Sequence, residues 1–111
     1  MRKLEQHWLV RFDIQDAYRS YKAKQPDLGR RFNRELRMLL RRLPNDALLY
    51  AIRFAGIRRA NLPSFPYGVF YFVADRTVVV LGILHGARDT RLNSNRGGKL
   101  TGRRTGSDIM F

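Results

Sequence analysis

The sequence contains no cysteine, which excludes disulfides, zinc–thiolate sites and thiol catalysis and permits a reducing compartment. Lysine is nearly as scarce: Lys3, Lys22, Lys24 and Lys99 are the only ones, leaving the whole middle of the chain without any. The two histidines, His7 and His85, have no acidic cluster at ligand spacing, so neither a metal nor another cofactor is expected. Ser20, Ser64, Ser94 and Ser107 lack the G-x-S-x-G setting of a nucleophile elbow. Gly97-Gly98-Lys99 lacks the leading glycine of a phosphate-binding loop. No apolar run approaches the roughly 20 residues that cross a bilayer. The opening MRKLEQHW is too polar for a secretory signal, so no membrane contact and a cytoplasmic location are expected.

What the chain has in excess is arginine. Against 9 Asp+Glu stand 22 Lys+Arg, a formal charge of +13. The guanidinium fork suits phosphate and carboxylate, so polyanions or an acidic protein are the expected partners. At 111 residues and 44% hydrophobic content, one domain with its own core is expected.

Along the chain, Trp8, Val10 and Phe12 alternate and predict a strand over 7–12, followed by a helix capped by Asp13. A competing reading places Val10, Ile14, Ala17, Tyr18 and Tyr21 on one helical face, with an earlier strand in the poor strand sequence of residues 2–6. The first helix should stop before Pro26, with 25–29 as a linker. A second helix over about 29–43 carries Phe32, Leu36, Leu39, Leu40 and Leu43 as its apolar stripe, and Pro44-Asn45-Asp46 should end it. Arg30, Arg34, Arg37 and Arg41 share its period, about 150° from that stripe on an ideal wheel. From Arg53 onward the period changes, predicting strands at 57–62, 67–73 and 77–85. The last is apolar on both faces and should be central. The expected fold is α+β: a helical hairpin packed on a small antiparallel sheet, in the order β-α-α-β-β-β. Residues 1–91 would form the domain, and 92–111 a basic, glycine-rich tail.

One electropositive cluster can be drawn from the residues alone. Arg58 and Arg59 alternate on a strand, so one must face the core and find a partner. His85 and Arg88 fall where the last strand ends. Arg58 or Arg59, together with Arg88, around a phosphate, with His85 moving a proton, would make a nuclease site.

Arg58-Arg59-Ala60-x-Leu62, Phe65-Pro66-Tyr67-x-Val69-Phe70-Tyr71 and Val79-x-Leu81-x-Ile83-Leu84-His85-x-x-Arg88-Asp89 together resemble the RelE/ParE toxin superfamily. Upstream, Asp13-Ile14-x-x-Ala17 with Tyr21, and Pro26-x-Leu28-Gly29-x-x-Phe32, resemble that superfamily's helical hairpin. The resemblance implies a growth-arresting toxin of a type II toxin–antitoxin system, with an acidic antitoxin as partner and operator DNA reached through their complex. It implies target contacts at Arg53, Arg58, Arg59, Tyr67, Tyr71, Arg88 and Arg91, and antitoxin contacts at Phe32, Leu36, Arg37 and Leu40. RelE-like members cut mRNA on the ribosome; ParE-like members poison DNA gyrase. RelE-like sites tend to carry a late tyrosine and lysines on the central sheet, and this chain has no tyrosine after Tyr71 and no lysine between Lys24 and Lys99. Gyrase inhibition is therefore the expected activity. The alternatives are a ribosome-dependent endoribonuclease using Arg59, His85 and Arg88, and an inactive relative that binds only antitoxin and DNA.

Overall fold

In the computed structural model, residues 2–86 are described. The first strand, β1 (Lys3–Gln6), precedes the segment 7–12 in which the sequence predicts it. KLEQ carries no strand signature of its own; the pairing comes from register, with Lys3 to Gln6 lying parallel to Thr77–Val80. The His7 N–H donates to the Val80 carbonyl at 2.7 Å and extends that ladder. His7 Nδ1 then accepts from the Leu9 N–H at 3.1 Å as the chain turns into α1 (Val10–Lys24). The alternation of Trp8, Val10 and Phe12 is coincidental. Val10 is buried while Trp8 and Phe12 are 46% and 45% exposed, whereas a strand would place all three on one face. The helical reading is the realised one: Val10 and Ala17 are buried, and Ile14 and Tyr21 pack against the core. Asp13 does not cap α1. Its Oδ2 instead accepts from the Ile83 N–H at 3.0 Å, joining the first turn of α1 to a strand 70 residues later.

Only Gln25 separates α1 from α2 (Pro26–Asp46), so the five-residue linker shrinks to one. Pro26 takes the first helical position, where its missing N–H costs nothing and its φ is preset. Phe32, Leu36, Leu40 and Leu43 are buried along the expected stripe. Each such side chain contributes about 1.5–3 kcal/mol on burial. Pro44 does not end the helix. It lies near the helix end, is itself buried, and its carbonyl accepts from Arg2 at 3.2 Å. A short 3₁₀ turn, Ala47–Leu49, leads to the sheet.

The sheet runs β1-β5-β4-β3-β2, with β2 (Ile52–Phe54), β3 (Ile57–Asn61), β4 (Tyr67–Ala74) and β5 (Thr77–His85). The meander β2 to β5 is antiparallel as its short turns require, and the parallel β1 makes the sheet mixed. β2 is an edge strand that the sequence reading, which starts the meander at 57, does not predict. Ala55 and Gly56 between them have φ of 46° and 75°, the positive pair of a type I′ hairpin turn. β5 is central, as its two apolar faces predict. Val78, Val80 and Ile83 join the core under the helices, while Val79, Leu81 and Leu84 join Ile57 and Phe70 on the other face.

A bulge sets that pattern. Phe70 lies opposite Gly82 and Tyr71 opposite Val80, so Leu81 has no partner on β4. Strict alternation from Val79 and Leu81 would carry position 85 to the face away from the helices. The extra residue returns Ile83, and with it position 85, to the helix side. The boundary expected at residue 91, the tail over 92–111, Arg88 and Arg91 lie outside the described residues.

Candidate target-facing site

The two arginines on β3 separate as alternation dictates. Arg58, opposite Tyr71, lies on the helix side, and its guanidinium donates to the Tyr50 carbonyl at 2.6 Å. This is the partner that a half-buried charge on that side requires. Arg59 lies on the other face, in line with Ile57. Its Nε donates to Asn61 Oδ1 at 2.6 Å and its guanidinium sits over the Phe70 ring at 5.0 Å. The side chain crosses Gly68, where an added Cβ would come within 2.2 Å of Nε. Gly68 thus provides the floor on which Arg59 lies. Asn61, Gly68 and Phe70 were missed by sequence reasoning, although a glycine inside the YGVFYF run is a signal for close approach.

His85 ends β5 exposed, opposite Tyr67, with the rings edge-on at 5.1 Å. Tyr67 itself packs on Tyr21 and Phe32 of the helical hairpin, which fixes this pair on the helix side. His85 and Arg59 therefore lie on opposite faces of the sheet, with Tyr67 and Gly86, the neighbours of His85, meeting Arg59 in a cleft at the sheet end. Burial raises the Tyr21 phenol pKa, and Tyr67 adds to the shift. Tyr71 is fully buried, so it is a core residue and not a target contact. Its hydroxyl donates to the Ala47 carbonyl at 2.6 Å. Its pKa is pushed up to about 12, chiefly by burial. Arg53 is exposed on the edge strand β2. A cleft of about 330 Å³ at the sheet end is lined by Arg59, Asn61, Tyr67 and Gly86 among others. Among the described residues, no group of three His, Asp or Glu side chains could hold a metal.

The residues expected to meet an antitoxin also need correction. Phe32, Leu36 and Leu40 are at most 1% exposed, because they are the stripe that seats α2 on the sheet; only Arg37 of that set is on the surface. A different apolar surface lies beside α1. A groove of about 430 Å³ runs along Arg11, Phe12, Ile14, Gln15 and Tyr18 to Asn33 of α2. Trp8 stands edge-on to Phe12 at 6.3 Å and extends it. The Oδ1 of Asn33 is buried without a hydrogen-bond partner. Buried carbonyls of this kind are normally satisfied, so it offers an acceptor to an incoming donor.

Comparison with known proteins agrees with this architecture. The family model described as "ParE toxin of type II toxin-antitoxin system, parDE" matches residues 4–90. A solved structure titled "Chromosomal ParDE TA system from P. aeruginosa" superposes with a TM-score of 0.69 at 18% identity, covering 78% of this chain and 97% of that one. No curated protein matches. Among the described residues, no helix is long and apolar enough to cross a membrane. With the matched segment running from β1 past the end of β5, the chain belongs to the ParE toxin family of type II toxin–antitoxin systems.

Proposed function

We propose that this toxin arrests growth by engaging DNA gyrase in the cytoplasm, and that an acidic antitoxin silences it. One observation carries the choice of target: the bulge in β5 leaves His85 on the helix side of the sheet, whereas Arg59 on β3 lies on the other face. A phosphodiester-cleaving site needs its proton-transfer group and its charge-stabilising cation around one reacting phosphate. Side chains leaving the sheet on opposite faces favour the gyrase reading over a nuclease built on this pair. Arg59 is instead held flat by Asn61, Gly68 and Phe70, an arrangement suited to a fixed cation in a protein or nucleic-acid contact. The antitoxin is assigned to the groove of Phe12, Ile14, Tyr18 and Asn33, with Trp8 at its rim. Exposed aromatics beside arginines suit an amphipathic acidic segment.

The test is a supercoiling assay with purified gyrase, relaxed plasmid and the full chain. Inhibition is expected, and His85→Ala should retain both inhibition and toxicity on induction. Ribosome-dependent cleavage of transcripts, abolished by His85→Ala, would establish the nuclease instead.

A further inference from the structure

We infer that the face of the sheet turned away from the helices is a docking surface for this chain's own residues 87–111. The burial of that face carries the inference. Ile57 of β3, Phe70 of β4, and Val79, Leu81 and Leu84 of β5 form one apolar cluster there, each at most 5% exposed. Phe54 and Phe72, which pack against it, also come from strands. The helices, the 3₁₀ turn and the β3–β4 loop send their buried side chains to the opposite face. Among the described residues, this cluster therefore draws on strands alone. A sheet face open to water keeps its side chains partly wet and is lined by polar residues. Here the face is apolar and closed, so a second layer lies over it.

Three features make residues 87–111 that layer. The closure is complete within a single chain, so the cover is intramolecular and not a partner or a second copy. The chain also leaves β5 at the right point. Gly86 has a φ of 58°, a left-handed turn that glycine adopts without strain, and its N–H donates to the Pro66 carbonyl at 2.7 Å. From Leu84 back to Val79 the face runs about 17 Å, and the six residues from Gly86 to Leu92 reach about 20 Å when extended.

The composition of the segment matches the face. Leu92, Leu100 and Ile109-Met110-Phe111 supply large apolar side chains. Glu5, opposite Val79 in register, is buried on the same face. A carboxylate at that depth is held by a cation, and the segment carries six basic residues against Asp89 and Asp108. The family match ends at residue 90, so most of this layer lies beyond the span that the family shares. Arg59 lies over Phe70 on the same face, so the docked segment borders the guanidinium assigned to gyrase.

The test needs neither gyrase nor antitoxin, so its failure leaves the proposed target untouched. Because the chain has no cysteine, a single introduced thiol serves as the reporter. Val79→Cys and Val80→Cys are neighbours in β5, the first on the outer face and the second on the helix face. In the full chain both should react with a small thiol reagent about 100-fold more slowly than Leu49→Cys, whose position is 79% exposed. Adding Leu92→Asp, Leu100→Asp and Phe111→Asp should speed the Val79→Cys reaction about tenfold and leave Val80→Cys unchanged. If that triple variant loses its circular dichroism, Leu92→Ala, Leu100→Ala and Phe111→Ala take its place with the same expectation. Protection of Val79→Cys should not depend on protein concentration; protection that fades on dilution identifies a second copy as the cover and overturns the proposal. So does fast reaction of Val79→Cys in the full chain, indifference to the substitutions in the segment, or equal acceleration of both thiols.

Discussion

At the scale of single residues, Gly68 and Arg59 act as one unit. The Arg59 side chain occupies the space where a Cβ at position 68 would stand. Gly68→Ala should therefore destabilise the fold by about 1–3 kcal/mol, as overpacked sites do. Most of that loss should vanish when Arg59→Ala is already present, because the obstruction is then gone. A double-mutant cycle by thermal or urea unfolding reads this coupling directly, and additive losses would disprove it. Tyr71 gives a second prediction at this scale. An unfolded tyrosine loses its proton near pH 10, whereas the buried one holds it to about 12. The unfolded state thus releases its proton first. The stability contributed by neutral Tyr71 is intact below pH 10 and is lost as pH climbs through 12. Tyr71→Phe should make stability less sensitive to pH across that interval, measured as Tm against pH.

At the scale of elements, the contact between α1 and β5 rests partly on one carboxylate. Asp13 accepts from the Ile83 N–H just after the bulge. Asp13→Ala would leave that backbone donor without its carboxylate and should cost about 1.5–3 kcal/mol, the range for hydrogen bonds to charged groups. Asp13→Asn keeps an acceptor and should recover part of it, as urea denaturation would show. Elements with local signals were legible from sequence: the apolar stripe of α2, the span of β4 to within one residue, and the whole of β5 from Thr77 to His85. β1 was not, because Lys3-Leu4-Glu5-Gln6 is polar and becomes a strand only beside Thr77–Val80. The start of α2 was missed because Pro26 was read as a helix breaker when it is a helix starter. The bulge was hidden for a different reason. In VVVLGIL every position is apolar or glycine, so no alternation marks where the faces exchange. That hidden shift is why Arg59 and His85 looked like neighbours from sequence.

At the scale of the whole molecule, charge works against compactness. A formal +13 on 111 residues makes like-charge repulsion a standing cost of the folded state. Added salt shortens the Debye length from about 30 Å at 0.01 M to about 8 Å at 0.15 M, so Tm should rise across that range. A falling Tm would mean that attractive ion pairs dominate instead. The cations are also distributed with a division of labour. Arg58 holds the 3₁₀ turn region through Tyr50, Arg59 lies on the far side of the sheet, and Arg30, Arg34, Arg37 and Arg41 are exposed along α2.

The parallel register of β1 with β5 has a temporal consequence. The first strand to leave the ribosome finds its neighbour only when the final strand of the sheet has emerged, so loop closure spans nearly the whole described domain. A nascent chain stalled before Thr77 can assemble its helical hairpin, yet both β1 and β4 then lack the strand that joins them. Completion of the sheet therefore waits on the last of its strands to be made, however early the first has appeared.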